Sequence, residues 1–155
     1  MKFEIRKAVE KDLKKILDFN QELFNYEYEN FDKTLNCGWS PRNEDYFRKS
    51  IDDDDCFAWV AVAEGELVGY LIGKIKTVND CRKVKSVAEI DNVFVDRRFR
   101  SKGIGSELCK VFFGWAKEKN IDKLRVESAF GNKGAIALYR KMGFMDYNLI
   151  LERDT

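Results

Sequence analysis

The stretch Val93-Phe94-Val95-Asp96-Arg97-Arg98-Phe99-Arg100-Ser101-Lys102-Gly103-Ile104-Gly105 decides how the rest of the chain is read. Its first residues close a β-prone run that begins at Val87. From Ile104 onward, Leu108, Val111, Phe112 and Trp115 recur at helical spacing. A strand therefore feeds through a basic loop into a helix. Gly103 and Gly105 lack Cβ, so the backbone there turns sharply and lets a ligand come close. N–H groups at a helix start point outward together with the positive end of the helix dipole, which suits a diphosphate. Arg97, Arg98, Arg100 and Lys102 add cationic side chains around them. Taken alone, the string also reads as a solvated turn before a helix, or as part of a nucleic-acid patch.

Working outward, the strand before the loop carries Glu89 and Asp91 two residues apart, hence on one face. Upstream, Cys56 to Ala63 and Leu67 to Thr77 are β-prone, and Glu64-Gly65-Glu66 joins them as a hairpin. Earlier still come a short strand through Phe3 and Ile5 and an amphipathic helix through Leu13, Ile16, Leu17, Asn20 and Phe24. A second short helix through Tyr46, Phe47 and Ile51 stops at the acidic turn from Asp52 to Asp55. Downstream, Leu124 to Ser128 reads as a strand, and Asn132 caps a helix through Ala135, Leu138 and Met142. Gly143 ends that helix before a last strand from Phe144 to Leu151. This order predicts an α+β sandwich on one mixed sheet, with residues 1 to 155 as a single domain.

Composition narrows the chemistry. The 155 residues include no His, which excludes a Ser-His-Asp triad, a Cys-His pair and His-based zinc or haem sites. Cys37, Cys56, Cys81 and Cys109 are too widely spaced for a CxxC pair and read as core residues, so no metal is expected. The start of the chain alternates and is charged where a signal peptide would be apolar, and no run is long enough to span a membrane, which predicts a reducing cytoplasm. The net charge is +1, but residues 1 to 75 hold 11 Lys and Arg against 16 Asp and Glu, while the remainder holds 17 against 11. The halves thus carry opposite signs.

Arg100-Ser101-Lys102-Gly103-Ile104-Gly105, following Val93-Phe94-Val95, resembles the acyl-CoA pyrophosphate-binding motif of the GNAT N-acetyltransferase superfamily. Asn132-Lys133-Gly134-Ala135-Ile136-Ala137-Leu138-Tyr139-Arg140-Lys141-Met142-Gly143-Phe144 is similar to that family's second signature. The resemblance covers nearly the whole chain. It implies an α/β/α sandwich whose central mixed sheet has six to seven strands flanked by helices. It further implies that acetyl-CoA is the co-substrate, with Val93, Phe94 and Val95 beside the pantetheine arm. The N–H groups of Arg100, Ser101, Lys102, Gly103, Ile104 and Gly105 would bind the pyrophosphate, Asn132 would contact the pantetheine side, and Tyr139 would stand near the sulfur. Asn132 also reads as a helix cap and Tyr139 as a core aromatic.

Making an amide from a thioester needs a neutral amine, a polarised carbonyl and a proton for the departing thiolate. An alkylammonium with a pKa near ~10.4 must lose a proton first, which calls for a general base. Asp91 and Glu89 are the candidates, with Asp91 preferred; both also read as cross-strand partners of Lys or Arg. An N–H near Val93 would polarise the carbonyl, and the Tyr139 hydroxyl would protonate the thiolate. A covalent acyl-cysteine route through Cys109 is poor without a histidine to activate it. The acceptor is expected to be a small cationic amine meeting Asp18, Glu22, Tyr26, Tyr28, Glu29, Asp32 or Trp39, without nucleic acid or membrane and with a homodimer left open. A catalytically silent acyl-CoA-binding or sensor module and a protein N-terminal or lysine acetyltransferase are the competing expectations.

Overall fold

A strand whose successive residues are all apolar has no face to give to water, and one whole strand and the middle of another are of that kind in this chain. In β2 (Cys56–Ala63) and β3 (Glu66–Thr77), Ala58, Val60, Tyr70 and Ile72 enter one core, while Phe57, Ala61 and Leu71 enter another. Such strands require a covering layer on each side. The computed structural model, which describes residues 1–155, has both layers. On one side α1 (Leu13–Asn30) and α3 (Glu44–Asp52) contribute Ile16, Phe19 and Phe47; on the other α4 (Ile104–Glu118) contributes Leu108 and Phe112. No helix is long and apolar enough to cross a membrane.

The sheet order follows the sequence, from β1 (Phe3–Lys7) through β2, β3 and β4 (Ser86–Val95) to β5 (Leu124–Val126). All neighbours are antiparallel except β4 and β5, whose parallel pairing makes α4 the crossover between them. At the β2–β3 turn both Glu64 (φ 53°) and Gly65 (φ 80°) are left-handed, as a two-residue hairpin demands. A short helix α2 (Trp39–Arg42), which the sequence pattern does not reveal, lies between α1 and α3. Ser40 of α2 and Tyr70 of β3 both hydrogen-bond the fully buried Asn20 of α1, which fixes α2 without exposing a polar group to the core.

The expected α/β/α sandwich is the observed architecture, with two corrections. The sheet has five strands rather than six to seven, and Phe144 to Leu151 form no strand after α5 (Lys133–Lys141). A strand needs a backbone partner as well as β-prone residues. Here the Arg140 guanidinium grips Asp146 at 2.6 and 3.0 Å and holds the chain beside α5. Phe144 is packed against Phe113, while Met145, Tyr147, Leu149, Ile150 and Leu151 are exposed.

Candidate active site

The site begins with one extra residue. Ile72 of β3 faces Asn92 of β4 and Gly73 faces Ile90, so Asp91 has no opposite number and forms a bulge. The β4–β5 ladder also stops here, with Ile90↔Val126 its last pair. Beyond Ile90, the outer side of β4 has no strand beside it. Between it and the chain after β5 lies a cleft of about 1060 Å³, walled by Ile90 to Val95 and by Val126 to Ser128.

The basic loop closes one end of the cleft. Ser101 (φ 60°) and Gly103 (φ 86°) are left-handed, a geometry that gathers N–H groups into an anion-binding concavity. Gly103 caps α4 without any side-chain cap, and no backbone N–H from Ser101 to Ser106 donates to a protein acceptor. These orphan donors sit at the positive end of the helix, and all but that of Lys102 belong to residues lining the cleft: Ser101, Gly103, Ile104, Gly105 and Ser106, beside the expected Arg100. The Lys102 side chain does not line it; its ammonium lies 5.1 Å above the Phe99 ring. Arg100 braces the loop by donating from Nε to the Val95 carbonyl at 2.9 Å.

Helix α5 forms the opposite rim. Asn132 Oδ1 accepts from the Ala135 N–H at 3.2 Å, so Asn132 is a helix cap and a cleft residue at once. Tyr139 is 8% exposed and lies edge-on to Phe144, and its hydroxyl bonds no protein atom. Burial pushes the phenol up from its ordinary value and keeps it protonated. Cys109 is wholly buried in the core, and desolvation pushes its thiol up to about 11, which leaves no thiolate for a covalent route.

The two strand carboxylates part company. Glu89 is 7% exposed, engages Lys76 and Arg125, and does not line the cleft. Asp91 does line it, with Oδ2 accepting from Tyr46 Oη and Lys74 Nζ, both at 2.8 Å, and Oδ1 from Lys76 Nζ at 3.2 Å. Burial, then the Asp91 charge and hydrogen bond, push the Tyr46 phenol far up, so it remains a donor.

Of the acceptor residues expected in the first half, Tyr26 and Trp39 line the cleft, whereas Asp18, Glu22, Tyr28, Glu29 and Asp32 do not. Glu22 and Glu29 instead border a smaller hollow with Arg97 and Arg100. Residues that the sequence reading passes over are Tyr46, Lys74, Asn92 and, above all, Glu27. A signal for Glu27 exists: it falls four residues after Leu23 and three after Phe24, on the apolar side of α1, where an acid is out of place.

Residues 20–144 match the acetyltransferase (GNAT) family, most of the chain. The chain belongs to the GNAT family. Among curated GNAT-like relatives, an uncharacterised N-acetyltransferase of Methanocaldococcus jannaschii is 29% identical over 96% of this chain and 63% of its own. A streptothricin acetyltransferase of Escherichia coli is 31% identical over 68% of this chain and 56% of its own. The chain therefore spans less than two thirds of the length of these relatives. A predicted acetyltransferase from Clostridium acetobutylicum, solved with acetyl-CoA, shares the fold with a TM-score of 0.77 at 19% identity, covering 99% of this chain and 96% of its own.

Proposed function

We propose that residues 1–155 form one acetyl-CoA-dependent N-acetyltransferase domain, which passes an acetyl group to the primary amine of a small cationic acceptor by direct attack in a ternary complex. One observation carries this reading: the orphan N–H row, the unpartnered edge of β4 and the unbonded Tyr139 hydroxyl all open into a single cleft. The row from Ser101 to Ser106 holds the pyrophosphate. The free side of β4 from Val93 to Val95 guides the pantetheine arm and offers an N–H near Val93 to the thioester carbonyl. Asp91, which lines the cleft, takes the surplus ammonium proton through water in preference to Glu89, which does not. The amine lone pair then forms the C–N bond as the C–S bond breaks, and the electron pair leaves on sulfur. Tyr139 donates its hydroxyl proton to the thiolate, and the second proton of the attacking nitrogen passes through water to the resulting phenolate, leaving a neutral amide and free CoA thiol. The proposed setting is the cytoplasm, where four free cysteines stay reduced.

A thiol-release assay with acetyl-CoA and a panel of polyamines, aminoglycosides, amino acids and peptide N-termini tests the reading. Amine-dependent release matched by acetylated product, fastest with small cationic amines, is the expected outcome. Tight CoA binding without turnover on any amine would instead identify a silent acyl-CoA-binding module.

A further inference from the structure

Three acids line the cleft: Glu27, Asp91 and the exposed Glu127. Asp91 is matched by Lys74 and Lys76. Glu27 is half-buried, yet its carboxylate accepts no hydrogen bond and pairs with no cation anywhere in the protein. Desolvation, with the nearby Asp32 charge, raises its pKa, and its own charge reaches the Tyr139 and Tyr70 phenols and helps push both up. Around it the cleft wall is aromatic, from Phe24, Tyr26, Phe31, Trp39 and Tyr46. On β4, Asn92 adds a buried Oδ1 that has no donor either. A partly desolvated anion without a counter-ion is costly, and aromatic faces around it attract cations rather than anions.

We propose that Glu27 is the specificity-determining residue of the acceptor site, pairing with a second, non-reacting ammonium of the acceptor, so that the preferred acceptor class is a di- or polyamine. The inference rests on the amine-acceptor reading above and adds to it the number of charges on the acceptor and the residue that counts them. The reacting nitrogen has to arrive neutral beside Asp91 and Tyr139. A separate ammonium, several bonds away, keeps its proton, neutralises Glu27 and lies against the aromatic wall. Glu22 and Glu29, which an acidic surface would equally recommend, lie outside the cleft.

The test compares 1,4-diaminobutane with 4-amino-1-butanol, which match in length and reacting group and differ only in an ammonium against a hydroxyl. For the wild type, kcat/KM should favour the diamine by about tenfold or more, and Glu27→Gln should bring that ratio close to one with the loss falling on the diamine. A wild-type ratio near one, an unchanged ratio in the variant, or an equal loss on both amines would overturn the proposal. Calorimetry of diamine binding to the CoA-loaded protein separates this from failure of the transfer reading. Diamine binding that Glu27→Gln abolishes, in a protein that acetylates neither amine, would uphold the Glu27 site and remove the transferase. Absence of diamine binding by the wild type would remove the Glu27 site.

Discussion

Tyr139 joins packing and chemistry in one side chain. Its ring closes the core edge against Phe144, while its hydroxyl is held protonated by burial and has no acceptor of its own. Tyr139→Phe preserves the ring and removes only the proton donor. Turnover should fall by roughly 10²–10⁴-fold while acetyl-CoA affinity stays near that of the wild type, read by steady-state kinetics and calorimetry. Wild-type turnover in the variant would leave Tyr139 a packing residue. The sequence places Tyr139 on a helix face, and the resemblance assigns it the thiolate; the unbonded hydroxyl is a fact of the tertiary structure alone.

At the scale of elements, the start of α4 is where local sequence and function coincide. Gly103 has φ 86°, a conformation that costs glycine nothing, and a Cβ there would meet no protein atom within 4 Å. A substitution therefore acts on the backbone and on the space a ligand would use. Asn and Asp are the two side chains that tolerate left-handed backbone best, and they differ by one negative charge. Gly103→Asn and Gly103→Asp should both keep a native circular dichroism spectrum, with Asp binding CoA about tenfold or more weaker than Asn because its charge opposes the diphosphate at a helix N-terminus. Equal affinities in two folded variants would count against the orphan N–H row as the phosphate site. The last strand expected from Phe144 to Leu151 shows the opposite relation: β-prone residues without a neighbouring ladder remain irregular.

Over the whole molecule, two acids in contact with α1 pull stability in opposite directions with pH. Burial works to raise the Asp12 carboxyl, but hydrogen bonds from Arg6 and the Val9 N–H, with the Arg6 charge, carry it below its ordinary value. The folded state then holds that proton more weakly than the unfolded chain. Its contribution is present above the unfolded value near ~3.9 and is lost as pH falls through the folded one. Glu27 is raised, so the folded state holds its proton more tightly; its contribution is fullest at acid pH and is lost as pH rises through the folded value. At pH 7, thermal melts should therefore show Glu27→Gln more stable than the wild type and Asp12→Asn less stable, with the Glu27 difference shrinking toward pH 4 and the Asp12 difference fading only below it. Stability gained by deleting Glu27 is what an acid kept for a ligand would show.

Periodicity and glycine chemistry determined helices α1, α3, α4 and α5, the β2–β3 hairpin and the turn at Gly103, because each depends on residues within a few positions of one another. The same short-range logic marked Asn132 as a cap, and the two family signatures named the fold. The bulge at Asp91 could not be read this way, since it exists only as a register shift against β3. Nor could the engagement of Asp91 by Tyr46, 45 residues distant, or the withdrawal of Glu89 from the cleft. The sequence shows Glu27 only as an acid on the apolar side of α1, and it took the fold to set it in a cleft with aromatic rings and no cation partner. Which charges are paired, and which are left for a ligand, is settled by contacts between segments far apart in the chain, and only the packed sheet and helices bring those segments together.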